Sequence, residues 1–299
     1  MSKKLSNLKN PTVSVLMPAY NAEKYIAESI ESILNQTFSD FEFIIINDGS
    51  TDNTAKIIRE YARRDSRIKF IDNKKNMGVA KTRNQLLDNA VGKYIAYQDS
   101  DDISLAHRLA YQVDFLDSHP DISVVGAAME TFPKYEKLVY VERPKLLDFY
   151  GYNMVSNAVV MFRRSDILKY GFKYKENYQT CEDYDFWVQI VRVLKIYNLP
   201  EVLMKYRVLE KSLSHNNPNL DKFNKIIRQD ILDCLTDDYM MRMKLSQKYN
   251  QYLFGFIPLF HVKQKRIYLF CFIPFLKLHG KWWNLFGIIP FIKNQEIKK

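Results

Sequence analysis

Phe41-Glu42-Phe43-Ile44-Ile45-Ile46, followed at once by Asn47-Asp48-Gly49-Ser50-Thr51-Asp52, is the stretch of this 299-residue chain that decides its fold. An almost unbroken apolar run of that length suits a central parallel strand covered on both faces. The polar residues after it read as a turn in which Thr51 or Asp52 caps a helix carrying Ile57, Ile58 and Tyr61. Upstream, Val13-Ser14-Val15-Leu16-Met17 is a short buried strand stopped by Pro18. Ile26, Ile30, Ile33 and Leu34 then fall on one helical stripe. Downstream, Arg67 to Ile71 gives a third strand and Val79 to Ala90 a helix after a Gly78 turn. Tyr94 to Tyr97 is a fourth strand that runs straight into Asp99-Ser100-Asp101-Asp102. Strand and helix alternating four times predict an α/β fold, a Rossmann-like, doubly wound and mostly parallel sheet flanked by helices.

In such sheets ligands bind outside the carboxyl ends of the strands. Three polar clusters fall at those ends: Pro18-Ala19-Tyr20-Asn21, Asn47-Asp48-Gly49-Ser50 and Asp99-Ser100-Asp101-Asp102. They are expected to face one crevice. After Ser118 the pattern is mixed, with strands at Val124-Val125, Ala158 to Phe162 and Ile196 to Tyr206, and a helix from Glu182 to Leu194. The expected organisation is one domain over residues 1–220, with halves of about 11–118 and 119–220, and a helical then basic-aromatic tail over 221–299. That tail repeats itself. Phe254-Gly255-Phe256-Ile257-Pro258, Phe270-Cys271-Phe272-Ile273-Pro274 and Phe286-Gly287-Ile288-Ile289-Pro290 place their prolines 16 residues apart, too short a period for the familiar solenoid units.

The composition, 47% hydrophobic and 26% charged, suits a globular domain with a sizeable core. The net charge of +10 is concentrated in the tail, where residues 261–299 hold eight Lys/Arg against one Glu. Together with Trp282 and Trp283 this fits an interfacial anchor on an anionic membrane surface. Packing on the larger domain, or an oligomer interface, is the competing use of those aromatics. No nucleic-acid motif accompanies the basic residues, so a nucleic-acid partner is not expected. Cys181, Cys234 and Cys271 are odd in number and far apart, which fits a reducing compartment. No secretory signal is visible, and the longest apolar runs reach about half of the ~20 residues a spanning helix needs. The expected location is cytoplasmic, peripheral on the cytoplasmic face of the inner membrane.

Two nucleotide chemistries are excluded at once. The nine glycines never provide G-x-G-x-x-G, and the pairs Gly92-Lys93 and Gly280-Lys281 lack the upstream glycine of a P-loop. What remains is a diphosphate held without a glycine cradle. Three carboxylates within four positions repel one another unless a cation sits among them. Hard oxygen ligands suit Mn²⁺ or Mg²⁺, bound by one or two carboxylates together with substrate phosphates. The competing reading is that the acidic turn merely caps a helix from Ser104 to Leu116.

The ordered series Pro18-Ala19-Tyr20-Asn21, Asn35-Gln36-Thr37, Asn47 to Asp52, Asn76-x-Gly78, Thr82-Arg83-Asn84, Asp99 to Asp102 and Glu182-Asp183 resembles the family-2 inverting glycosyltransferases of the GT-A fold. Around Glu182-Asp183-Tyr184-Asp185-Phe186-Trp187 it is most similar to bacterial enzymes that build lipooligosaccharide or capsule chains. The resemblance covers roughly residues 11–215. It implies a nucleotide-sugar donor, with uridine diphosphate as carrier, and a glycan or glycolipid acceptor. It further implies that Pro18 and Tyr20 line the base pocket, that Asp48 accepts the uracil N3–H, and that Arg83 approaches the diphosphate or base. Asp99 and Ser100 would lie beside the ribose and metal, Asp101 would be the metal ligand, and Asp183 the general base. Many relatives carry a histidine soon after a Tyr-Arg pair; here Tyr206-Arg207-Val208-Leu209 has leucine, and His215 is the substitute candidate for the metal. The Gln-x-x-Arg-Trp string of processive relatives is missing, which favours transfer of a single sugar. Two other readings stay open on sequence: a sugar-phosphate nucleotidylyltransferase, whose glycine-rich first loop is lacking, and a catalytically inactive membrane-surface adaptor.

Overall fold

The computed structural model describes residues 10–178, 180–209 and 220–248, with side chains through 237, and four short strands between 260 and 284. The strands and helices of the first half are β1 (Val13–Ala19), α1 (Ile26–Leu34), β2 (Phe41–Asp48), α2 (Thr54–Arg64), β3 (Ile68–Asn73), α3 (Val79–Asn89) and β4 (Tyr94–Tyr97). They match the alternation read from the sequence. The spatial order β3-β2-β1-β4 is all parallel, with Val15 beside both Phe43 and Ala96. All eight residues of β2 are buried, as expected for a strand covered on both faces. Ile26, Ile30 and Ile33 of α1 close one side of the core at 0% exposure.

Beyond β4 the sheet becomes mixed. A two-residue strand β5 (Ile103–Ser104) precedes α4 (Arg108–Ser118), then β6 (Val124–Phe132), β7 (Lys137–Leu138), β8 (Met161–Arg163), α5 (Arg164–Tyr170), α6 (Glu182–Val191) and β9 (Ile196–Arg207). β8 pairs antiparallel with both β4 and β6, whereas β9 runs parallel to β6 and antiparallel to β5. One continuous sheet thus carries the chain from the regular half to the mixed half.

One sequence expectation needs correction and another refinement. The acidic turn does not cap the next helix: α4 begins at Arg108, and Ile103–Ser104 instead pair with Met204 and Lys205. The β2 turn does cap α2 through Asp52, but from one position before the N-cap. Asn53 holds that position without a side-chain cap bond, while Asp52 accepts the Thr54 amide through Oδ1 and the Glu23 amide through Oδ2.

After β9, α7 spans Leu220–Lys248. The tail then forms two antiparallel hairpins, β10 (Phe260–Lys263) with β11 (Arg266–Leu269), and β12 (Phe275–Leu278) with β13 (Lys281–Asn284). Each hairpin occupies the interval between successive Phe…Pro units of the repeat. Those units themselves, and His215, lie outside the described residues. Among the described residues no helix is long and apolar enough to cross a membrane.

Candidate active site

The first two strand ends are bolted to each other. Asn21 adopts φ 48°, a left-handed conformation that asparagine tolerates better than most residues. Its side-chain oxygen accepts the Thr51 amide at 2.9 Å, and its own amide donates to Ser50 Oγ at 2.9 Å. Tyr20, just before it, is half-exposed at the strand mouth, and Pro18 is partly buried opposite Ile46. Gly49 is required here: φ is +68°, and a Cβ would meet the Asn76 amide and the Lys75 carbonyl carbon at 2.4 Å. That close approach brings residues 75–78 against Asp48. The Asp48 carboxylate accepts the Met77 and Gly78 amides, each at 3.0 Å, and Asn73 Nδ2 at 3.2 Å. Asp48, expected to read uracil, therefore also anchors the loop that starts α3.

The third end is the acidic turn. Gln98, fully buried, ties its two ends by donating Nε2 to the carbonyls of Asp99 (3.1 Å) and Asp102 (2.9 Å). Gln98 Oε1 accepts from Ser104 Oγ and from Arg108 Nη1. Arg108 is itself fully buried and donates to Gln112, Ser104, Gln98 and the carbonyls of Tyr97 and Val160. All these acceptors are neutral, so its charge is left to act on the acidic turn above it.

The carboxylates differ sharply in their surroundings. Burial, with the Asp99 charge adding to it, pushes Asp101 up to about 6. Burial, followed by Asp99 and Asp101, holds Asp102 well above the ordinary range. Asp102 Oδ1 accepts the Arg207 amide at 2.8 Å, while the buried Oδ2 has no partner among the described residues. Arg207 also donates Nε to the Asp101 carbonyl and Nη2 to Glu28, its guanidinium sandwiched by Tyr25 and Phe132 at 4.4 and 4.3 Å. Ser100 is partly buried within the turn. No three His, Cys, Asp or Glu side chains converge as a ligand set among the described residues. The acidic turn fits a cation that takes one or two protein oxygens and its remaining ligands from a diphosphate. The elevated Asp101 and the orphaned Asp102 oxygen are the signs that positive charge is wanted there.

Facing the acidic turn is the start of α6. Arg83, 7% exposed on α3, is ion-paired through Nη1 with buried Glu182, and its Nη2 lies 3.7 Å from Asp99. Tyr97 and Tyr174 flank its guanidinium at 5.9 and 5.6 Å. Arg83, expected to approach the diphosphate or base, links Asp99 of the acidic turn to Glu182 at the start of α6. Asp183, next to Glu182, is partly buried, with Oδ2 accepting Asn153 Nδ2 at 3.1 Å and Oδ1 accepting the Tyr184 amide at 2.8 Å. Burial raises its pKa, Arg83 opposes that, and Asp99 adds to it, for a net upward shift. A carboxylate poised above its usual range is suited to accept a proton near neutral pH.

Asp48 and the acidic turn thus follow the carboxyl ends of parallel strands β2 and β4, and Arg83 joins that turn to the Glu182-Asp183 pair. Gln98, Arg108, Glu182, Asn153 and Arg207 escaped the sequence reading as members of that network. Arg108 and Gln112 carried a signal: polar residues four apart, on the α4 face that also holds Leu109, Val113 and Leu116.

Comparison with known proteins gives the family. The model of the family described as Glycosyl transferase family 2 matches residues 14–236. An uncharacterized glycosyltransferase of Methanocaldococcus jannaschii is 37% identical over 261 residues, covering 83% of this chain and 80% of that protein. The UDP-Glc:alpha-D-GlcNAc-diphosphoundecaprenol beta-1,3-glucosyltransferase WfgD of Escherichia coli is 32% identical over 248 residues, covering 79% of this chain and 91% of its own. Among solved structures, S. aureus TarS 1–349 in complex with UDP-GlcNAc superposes with a TM-score of 0.62 at 23% identity, covering 72% of this chain and 65% of that one.

Proposed function

Since the chain belongs to glycosyl transferase family 2, we propose that it moves a hexose or N-acetylhexosamine from a uridine-diphosphate sugar to a hydroxyl of a surface glycan such as lipooligosaccharide, with inversion. The observation that carries this reading is the Arg83 bridge, which links Asp99 of the acidic turn to Glu182, the residue beside Asp183. Family membership sets the nucleotidylyltransferase and inactive-adaptor readings aside. The UDP-sugars named for WfgD and for the TarS complex support the choice of carrier.

In this mechanism Tyr20 and Pro18 hold the uracil ring and Asp48 accepts its N3–H, while Asp99 and Ser100 take the ribose. A bound Mn²⁺ or Mg²⁺, held by Asp101 with Asp99 beside it, would supply charge neutralisation for the departing diphosphate. His215 is a further candidate for that ion and lies outside the described residues. Asp183 takes the proton of the acceptor hydroxyl as its oxygen forms the new bond to the anomeric carbon. The bond from that carbon to the diphosphate breaks on the opposite face, so an α-linked donor yields a β-linked product. Arg83 keeps Glu182 and Asp99 compensated while this happens and would approach the diphosphate from beside Asp99.

Residues 11–118 would serve the nucleotide sugar and 119–220 the acceptor. The basic-aromatic segment within 221–299 would dock on an anionic membrane surface at the cytoplasmic face, where lipid-linked acceptors are reached. Asp183→Asn is the direct test, because it keeps shape and removes basicity. UDP binding by calorimetry with Mn²⁺ should stay at the wild-type level, while transfer falls by roughly 10²-fold or more, the scale of lost general-base catalysis. Wild-type turnover in that variant would remove Asp183 from the role.

A further inference from the structure

A cavity of about 300 Å³ is lined by Leu138, Val139, Tyr140, Val141, Tyr152 and Met154, with Lys137 as its one charged lining residue, and Asn153, between the last two of these, donates to Asp183. We propose that this cavity is the acceptor's sugar subsite, taking one pyranose ring stacked on Tyr152. The inference rests on the transferase reading and names the acceptor chemistry at that same site.

The cavity is built rather than incidental. Its two walls, residues 137–141 and 152–154, hang from one side chain, that of Asn198 on β9, which is 2% exposed. Asn198 Nδ2 donates to the Val141 carbonyl at 2.7 Å and to the Met154 carbonyl at 3.0 Å, and its amide donates to the Glu142 carbonyl at 2.7 Å. The wall segment also carries Asn153. Its Oδ1 accepts the Val155 amide at 3.2 Å, which turns Nδ2 toward Asp183. The segment that shapes the cavity therefore also orients the base.

Two tyrosines connect the cavity to the reaction centre. Tyr140 lines it, shares a hydrogen bond with Ser156 and lies within the field of Asp183. Tyr206 lies within reach of Tyr140 and of Asp99, Asp101 and Asp102. A ligand in the cavity would thus approach the base past Asn153 and Tyr140.

The lining selects the ligand class. A pyranose has a flat face of C–H bonds and an edge of hydroxyls, and a tyrosine offers the matching apolar face with a polar tip. Tyr152 is 71% exposed, a large aromatic left open at the mouth of a mostly apolar cavity. A nucleotide's phosphates would find a single cation, Lys137, in the lining. An acyl chain has no hydroxyl to present to Asp183.

The test uses the full chain and three probes: methyl β-D-glucopyranoside, methyl α-D-mannopyranoside and methyl N-acetyl-β-D-glucosaminide. Saturation-transfer NMR is run on wild type, Tyr152→Ala and Val139→Arg, with UDP calorimetry in Mn²⁺ alongside. At least one pyranoside should receive saturation on its ring protons. That signal should fall about fivefold or more in both variants, the loss expected for one aromatic contact, with UDP affinity unchanged. Both positions are exposed, so the variants keep the fold, and a thermal melt verifies this. No saturation of any pyranoside by wild type, or wild-type signals in both variants, overturns the subsite. Failure of wild type to bind UDP would count against the donor reading alone.

Discussion

The sheet has two unlike halves, and the difference explains what each does. In β3-β2-β1-β4 every pairing is parallel and every crossover is a helix. The candidate binding residues there sit at strand ends held by main-chain geometry, as with Gly49 against residues 75–76. From β8 onward the pairings mix directions, and β5 is only two residues long. Side chains take over the positioning: Arg207 reaches back to the acidic turn, Asn198 hangs two wall segments, and Asn153 orients Asp183. One half presents a fixed cradle. The other is assembled from contacts distant in sequence.

The bridge between the halves is where the comparison breaks most sharply. Arg83→Leu leaves Glu182 buried without its cation, which should lower stability by ~3–5 kcal/mol, read as a fall in the urea midpoint at constant slope. Adding Glu182→Leu should recover most of the loss; no recovery would mean the pair is not what couples α3 to α6. Within the regular half, Gly49→Ala forces a left-handed φ on alanine and a clash with backbone. It should cost roughly 1–3 kcal/mol by the strain alone and weaken UDP binding, since the loop that meets Asp48 must shift. An unchanged melt would show that the approach of residues 75–76 is not fixed.

The smallest effect concerns pH. Because Asp183 titrates above the ordinary carboxylate range, its charged, proton-accepting form is lost as pH falls through that raised value. The acid limb of kcat/KM should therefore lie above the range of an exposed aspartate. In Asn153→Ala the limb should move further up, since a donor that favours the charged form has gone. An acid limb at the ordinary aspartate position would separate Asp183 from the proton transfer.

The regular half was readable because its signals are local. An apolar run such as Phe41 to Ile46 followed by a polar turn specifies a strand, its burial and its ligand-facing end within twelve residues. Asp183 was readable only through the ordered motif series. Its neighbours were not, because Arg83–Glu182, Asn153–Asp183 and Asp102–Arg207 join residues 99, 30 and 105 positions apart. The helix-cap reading of the acidic turn failed for the same reason. Ile103 and Ser104 are recruited by β9, a hundred residues later, before α4 begins.

Asn198 has a consequence for how such a protein can change. It grips the Val141 and Met154 segments by their carbonyl oxygens, which every amino acid possesses. Replacing the side chains at 139, 141, 152 or 154 would redraw the cavity without releasing either wall. A lineage, or a library, can therefore vary that cavity while the strand ends at Asn21, Asp48 and Gln98 stay as they are.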